Sequence, residues 1–226
     1  DKFPPRGTLL TPEAVIFPGR SPVSHKGDFG KIGIIAGSPG FSGAAIMAAR
    51  SALRSGAGLI KLYHPAGMEL IFESQLLEVM THPIPETAEG DFDLPVFLKI
   101  IEPLDALLAG PGLGTAPRVQ KLVQNLLNQW QKPLVLDADA LNVISAERNF
   151  LPLLKNRLIT PHTGEFARLC GCPVEEIISD CLDRLDKFCA EYQCCVILKS
   201  ATSIITDGRE IYFNTSGNTG LATGGS

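Results

Sequence analysis

The sequence predicts an α/β fold: a mostly parallel central sheet with helices on both faces and an antiparallel edge hairpin. Three observations carry that expectation. From Lys31 onward, short apolar runs bounded by Gly, Pro or Asp alternate with longer amphipathic segments, the pattern of parallel strands buried under helices. The 226 residues are 45% hydrophobic and 19% charged, enough to bury one sizeable core. Near the end, Ser203–Thr206 and Ile211–Asn214 flank Asp207-Gly208, a turn chemistry that returns the chain antiparallel to itself.

Taken in order, the segment 1–30 carries several prolines and reads as an extended arm with a short helix around Thr11–Val15, or as a linker from a preceding domain. Strands are expected over Lys31–Ala36, Leu59–Tyr63, Leu76–Thr81, Ala106–Ala109, Leu134–Asp137, Leu158–Thr160 and Cys195–Leu198, each apolar and closed by a breaker. Helices are expected over Ser42–Ser55, Pro117–Trp130, Ala138–Ile144, Thr163–Leu169 and Val174–Tyr192, several opening on Ser, Thr or Asp. Residues 31–226 therefore read as one domain.

Charge and cysteine usage narrow the function classes. A net charge of −4 argues against a nucleic-acid surface, which needs a basic stripe to displace phosphate counterions. No apolar run reaches the roughly 18 residues of a membrane span. The six cysteines, Cys170, Cys172, Cys181, Cys189, Cys194 and Cys195, show no C-x-x-C pair and no zinc-finger spacing, so reduced, mostly buried thiols are expected. The first residue is Asp rather than Met, which suggests a longer polypeptide, and a cytoplasmic setting is expected.

Four stretches carry candidate chemistry. The first strand runs into Gly37-Ser-Pro-Gly-Phe-Ser-Gly43 and a small-residue helix that includes Ala44. Strand, glycine turn and helix start form a binding edge at the carboxyl end of a parallel sheet, although a purely structural turn fits as well. The glycine spacing matches neither a dinucleotide fingerprint nor a P-loop. A second strand breaks into Gly110-Pro-Gly112-Leu-Gly114, repeating the arrangement. Pro133-Leu-Val-Leu-Asp137-Ala-Asp139 ends a strand in two acids, suited to a Mg²⁺–phosphate site, with helix capping as the other reading of Asp139. Thr160-Pro-His162-Thr-Gly-Glu165 presents an imidazole and a carboxylate one helical turn apart, where His162 is either a ligand contact or a helix cap. Lys199 closes a later strand, over a phosphate or in solvent. The closing run Asn214–Ser226 is rich in Gly and small hydroxyl residues, fitting an anion cradle or a flexible tail.

In order along the chain, His25-Lys-Gly-Asp-Phe-Gly30, Ala36-Gly-Ser-Pro-Gly-Phe-Ser-Gly-Ala44, Gly110-Pro-Gly-Leu-Gly114, Leu136-Asp-Ala-Asp-Ala-Leu-Asn142, Thr160-Pro-His-Thr-Gly-Glu165 and Asn218-Thr-Gly-Leu-Ala-Thr-Gly-Gly-Ser226 resemble the NAD(P)H-hydrate dehydratases of the ribokinase-like superfamily. The resemblance implies an enzyme that repairs hydrated NADH or NADPH (NADHX, NADPHX), with Mg²⁺ and with ATP or ADP as co-substrate. It implies that Ala44, Gly112, Gly114 and His162 line the hydrated dinucleotide. It implies that Lys199, Ser200, Ala201, Thr202 and Ser203, with Asn218, Thr223, Gly224 and Gly225, meet the nucleotide, Ser200 standing where the family usually has Gly. Glu165 matches the superfamily's metal-and-phosphate acid, His162 taking the preceding Asn position, and Asp137 supports the same region as a second metal acid. The family continues past this point into Gly-Asp, whose Asp is the expected base, so no catalytic base is expected within the 226 residues. A homo-oligomer, fused to or paired with an NAD(P)HX epimerase, is also implied. The rival readings are a ribokinase-like kinase of a vitamin precursor and a non-catalytic nucleotide-binding module.

Overall fold

The computed structural model describes residues 6–16, 19–218 and 220. It contains two compact units, one of Pro22–Val143, the other of Ile144 onward together with the chain up to Ser21. The described chain opens with a two-residue strand, β1 (Thr8–Leu9), and 3-10 turns at Pro12–Ala14 and Lys26–Phe29.

In the unit of residues 22–143 the strands are β2 (Lys31–Ile35), β3 (Leu59–His64), β4 (Met80–Pro83), β5 (Ala106–Ala109) and β6 (Leu134–Leu136). They pair in the order β6-β5-β2-β3-β4, every pair parallel. The connecting helices are α1 (Ser42–Arg54), α2 (Glu69–Gln75), α3 (Leu94–Ile101) and α4 (Pro117–Gln129). The small residues of α1 have a packing reason. Ala45 and Ala49 are fully buried against Ile34, Ile60 and Leu62, so the helix axis approaches the sheet closely. Phe72 of α2 closes the same cluster, whereas Phe97 of α3 meets Tyr63 edge-on at 5.2 Å. Gly33 in β2 leaves room for neighbouring side chains, since a Cβ there would lie 2.5 Å from the Leu107 Cδ2 and 2.6 Å from the Leu104 Cδ1, which would have to shift.

Helix α5 (Asp139–Ala146) begins in the unit of residues 22–143 and runs past Val143. The other unit then holds a 3-10 run Arg148–Leu154, β7 (Leu158–Ile159), α6 (Thr163–Cys170), α7 (Val174–Ser179) and α8 (Cys181–Tyr192). It ends in β8 (Cys195–Leu198), β9 (Ser203–Thr206) and β10 (Ile211–Asn214). The pair β7–β8 is parallel, while β8–β9 and β9–β10 are antiparallel. The expected hairpin forms at Asp207-Gly208. Asp207 Oδ1 accepts the N–H groups of Arg209 and Glu210 at 2.9 and 3.1 Å, and Gly208 takes φ +85°. The hairpin is not the last strand pair, because the opening segment supplies β1, parallel to β10.

Two sequence expectations need correction, and two helices were not expected at all. The apolar run expected as a strand over Leu76–Thr81 divides, with Leu76 capping α2 and the strand beginning only at Met80. Helix α2 was hidden because Leu70 and Ile71 lie outward, 80% and 45% exposed, which blurs its apolar stripe. Helix α3 had no sequence expectation at all. Its run Leu-Pro-Val-Phe-Leu-Lys-Ile-Ile lacks a polar face, and its signal is the cap, Asp93 accepting the N–H of Val96 at 3.2 Å. The helix expected over Val174–Tyr192 breaks at Asp180 (φ −135°, ψ 41°), giving α7 and α8. Ser179-Asp180 is a pair whose side chains compete with helical backbone bonds, and the ion pair of Arg184 with Glu176 spans the break. No described helix is long and apolar enough to cross a membrane. All six cysteines are free, with Cys189 and Cys194 buried and the others half-buried.

Candidate functional site

Two loops at the carboxyl ends of β2 and β5 are locked together. The N–H of Gly37 donates to the Pro111 carbonyl at 2.9 Å, and the Ser38 hydroxyl donates to the Gly112 carbonyl at 2.7 Å. Gly112 has φ +65°, and a Cβ on it would lie 2.6 Å from the Phe41 carbonyl oxygen. Glycine is required there for conformation and for space alike. Gly110, at φ +131°, abuts the Asp137 carbonyl so closely that a Cβ would fall 1.8 Å from that oxygen. Gly114 differs: it has φ +75° but faces open space, with nothing within 4 Å of an added Cβ. Loop one leads into α1, whose N-cap residue Phe41 makes no side-chain capping bond and whose first turn holds Ala44. The first N–H groups of such a helix have no intrahelical partner and favour negative charge.

The two acids after β6 take different positions. Asp139 opens α5, accepting the Gly114 N–H on Oδ2 at 2.8 Å and the Asn142 amide on Oδ1 at 3.1 Å. Asp137, at the strand end, contributes its backbone, its N–H donating to the Ala109 carbonyl at 3.1 Å and its own carbonyl accepting from Ala140 at 3.1 Å. Between them Ala138 is held at φ 48°, a left-handed conformation that costs a non-glycine residue about 1 kcal/mol or more. The second glycine loop meets both acids, Gly110 against the Asp137 carbonyl and the Gly114 N–H on Asp139. The sequence reading missed Ser38 as the hydroxyl that ties the loops. Its only sequence signal is a serine inside a glycine turn.

In the other unit, β7 and β8 end beside each other. The Lys199 N–H donates to the Pro161 carbonyl at 2.8 Å, and His162 and Lys199 form an isolated parallel bridge. His162 is the N-cap of α6: its Nδ1 accepts the N–H groups of Gly164 and Glu165 at 3.0 and 3.3 Å. Glu165 completes the reciprocal box, Oε2 accepting the His162 N–H at 2.8 Å while Oε1 lies 3.5 Å from His162 Nε2. The Glu165 side chain is buried and the His162 ring is 53% exposed, so the ring's outer edge stays accessible while the acid is held beneath it. Phe166, fully buried and edge-on to Phe188 at 5.2 Å, anchors that turn. After Lys199 the chain turns through Ser200, Ala201 and Thr202, with the Ser200 hydroxyl bonded to the Thr202 carbonyl, and enters β9 at Ser203. Asn218 Oδ1 accepts the N–H of Gly220 at 2.8 Å. Thr223, Gly224 and Gly225 lie outside the described residues.

No group of three or more His, Cys, Asp or Glu side chains is gathered as metal ligands among the described residues. Mg²⁺ is commonly held by one or two carboxylates plus substrate phosphates rather than by an all-protein cage. Glu165 offers one buried carboxylate, with Oε2 already accepting the His162 N–H.

Parallel strands ending in interlocked glycine loops, together with an antiparallel pair at β9–β10, define a ribokinase-like α/β protein. A ribokinase-like superfamily protein of Enterococcus faecalis superposes with a TM-score of 0.80 at 28% identity, covering 92% of this chain and 70% of that one. The family model described as NAD(P)H-hydrate dehydratase matches residues 32–226, and the chain belongs to that family. Among relatives, the ADP-dependent (S)-NAD(P)H-hydrate dehydratase of Neisseria meningitidis is 37% identical over 93% of this chain and 70% of its own length. The bifunctional NAD(P)H-hydrate repair enzyme of Moorella thermoacetica is 39% identical over 92% of this chain, which spans only 40% of that relative. The ADP/ATP-dependent NAD(P)H-hydrate dehydratase of Bacillus subtilis, co-crystallised with ATP and Mg²⁺, superposes with a TM-score of 0.77 at 26% identity, over 97% of this chain and 76% of that one.

Proposed function

We propose that this chain carries the nucleotide-dependent dehydration of NADHX and NADPHX back to NADH and NADPH, with residues 31–226 as the catalytic region and 1–30 as an arm. The observation that carries this reading is the interlock of the Gly37–Gly43 and Gly110–Gly114 loops, which offers a rigid backbone surface beside Ala44. Gly112 and Gly114 supply a face without side chains against which a flat ring can lie, and the start of α1 favours an anionic group. In the other unit His162, its ring 53% exposed, is the residue that offers a polar contact to NAD(P)HX. Lys199 to Ser203, with Asn218, Thr223, Gly224 and Gly225, meet the phosphates and ribose of ATP or ADP.

Hydroxide is a poor leaving group, so the C6 hydroxyl must first be activated. Its oxygen attacks the terminal phosphorus of the nucleotide, a new P–O bond forms, the bond to the leaving nucleotide breaks, and the hydroxyl proton passes to a base. The ring nitrogen's electron pair then expels phosphate from C6, and loss of a C5 proton restores the 5,6 double bond. Lys199 and the backbone N–H groups of the following turn hold negative charge that develops on the transferred group. Glu165 would hold Mg²⁺ with the nucleotide's phosphates, where the ion would neutralise charge on the oxygens; Asp137, in its own unit, is the second carboxylate read as a metal acid. This chain spans 40% of a relative named bifunctional, which supports a chain joined to or paired with a second activity, read here as an NAD(P)HX epimerase. A homo-oligomer in the cytoplasm completes the reading.

The test is incubation of the full-length protein with NADHX, Mg²⁺ and either ATP or ADP, following reduced-nicotinamide absorbance and phosphate release together. Nucleotide-dependent recovery of both is expected. A folded protein that leaves the absorbance flat would overturn the reading, and a stable phosphorylated product would turn it toward a kinase.

A further inference from the structure

We propose that Asp139 is a positioning residue for the hydrated dinucleotide, clasping the far end of the second glycine loop through the Gly114 N–H. This rests on the reading of the two loops as the dinucleotide surface. The loop is fixed at its start by Gly110 against the Asp137 carbonyl and in its middle by Ser38 and Phe41 against Gly112. A turn of its own joins the Leu113 N–H to the Gly110 carbonyl at 3.1 Å. At Gly114 the tie to the rest of the unit is the 2.8 Å bond to Asp139 Oδ2. Nothing packs within 4 Å on the side-chain face of Gly114, so packing does not hold it in place.

The bond also decides what Gly114 can offer. Its N–H is committed to a half-buried carboxylate, so Gly114 serves a ligand through its bare Cα face and not as an anion donor. The unit accepts strain to make this possible. Ala138 is left-handed at φ 48°, and that turn carries the chain from Asp137 into Asp139 at the head of α5. Asn142 then steadies the carboxylate by donating to Oδ1 at 3.1 Å. A strained non-glycine residue beside a loop that faces open space is the kind of backbone outlier that persists where a side chain must be aimed.

The clasp makes a distinction that a metal acid would not. Asparagine at 139 retains an oxygen to accept the Gly114 N–H, and Asn142 can rotate its amide to match, whereas alanine retains nothing. Three variants of the protein are compared with wild type: Asp139→Ala, Asp139→Asn and, as a stability control in the same helix, Leu141→Ala, which is 1% exposed. Amide hydrogen exchange over residues 110–115 is measured without ligand, and binding of NADHX and of ADP is measured separately. Asp139→Ala is expected to speed exchange across the loop and to weaken NADHX binding roughly 10- to 30-fold, the loss of one charge-assisted hydrogen bond, with ADP binding within about twofold of wild type. Asp139→Asn is expected to recover most of both effects. Leu141→Ala is expected to lower thermal stability while leaving NADHX affinity in place.

The proposal is overturned if Asp139→Asn is as damaging as Asp139→Ala, because the charge itself would then be required. It is equally overturned if Leu141→Ala weakens NADHX to the same degree, or if exchange over 110–115 is unchanged in Asp139→Ala. Wild-type protein that binds no NADHX would sink the functional reading itself, and the ligand-free exchange data separate that failure from failure of the clasp.

Discussion

Replacing Gly112 by alanine tests the interlock of the two loops most directly. The residue sits at φ +65°, a conformation that costs an L-residue about 1–2 kcal/mol. Its Cβ would lie 2.6 Å from the Phe41 carbonyl oxygen and 3.1 Å from Phe41 Cβ, so one loop must retreat by several tenths of an ångström. Retreat stretches the Ser38–Gly112 bond at 2.7 Å and the Gly37–Pro111 bond at 2.9 Å, each worth about 0.5–1.5 kcal/mol net. Gly112→Ala should therefore destabilise by about 2–4 kcal/mol. Gly114→Ala is the matched control. With φ +75° and no atom within 4 Å of the new methyl, it should cost the backbone strain alone, about 1–2 kcal/mol. Urea denaturation at equal m-value reads both changes as shifts in midpoint. Equal destabilisation of the two variants would refute the argument, since it would mean that the Phe41 carbonyl does not constrain Gly112.

Three further outcomes are expected. His162→Ala should lose about 1 kcal/mol with its cap and His162→Asn should recover it, because asparagine caps as well; recovery of NADHX binding in His162→Asn too would dismiss the ring as a ligand contact. Tyr63 has a buried hydroxyl with no hydrogen-bond partner among the described residues, and burial pushes it up to about 12, so Tyr63→Phe should be neutral or stabilising by about 1 kcal/mol at pH 7. A folded-state value above the unfolded one means stability that is present below about pH 10 and lost as pH rises toward 12. Chemical denaturation at pH 7 and 10.5 should show a steeper alkaline loss in wild type than in Tyr63→Phe, and parallel curves would contradict it. Burial, and next the neighbouring Cys172, push the Cys170 thiol up to about 12, and bonding to Cys194 followed by burial pushes Cys189 up. Iodoacetamide at pH 8 should therefore label these two at least about tenfold more slowly in the native protein than in urea, and equal rates would show that they are not sheltered.

Alternation of apolar runs with amphipathic segments was enough to place most strands and helices, because parallel strands buried on two faces and helices buried on one differ in period and length. Elements whose formation depends on a neighbour were not legible. Helix α2 has outward Leu70 and Ile71, and α3 is apolar apart from Lys99, so neither carries a readable face. Where Leu76 ends a helix and Met80 begins a strand is decided by pairing with Lys61 and Leu62, which lies outside the local sequence.

The candidate site divides in the same way. Residue types and their order along the chain determined the family, the glycine loops and the pairing of His162 with Glu165, since turns needing positive φ and reciprocal helix caps are written within a few residues. Only the tertiary structure decided which glycine is needed for space and which for an open face, that Ser38 binds across to Gly112, and that Asp139 serves Gly114. Those contacts join positions 25 to 74 residues apart, and a hydrogen bond between two loops has no local signature because it exists only after the sheet has brought the strand ends together.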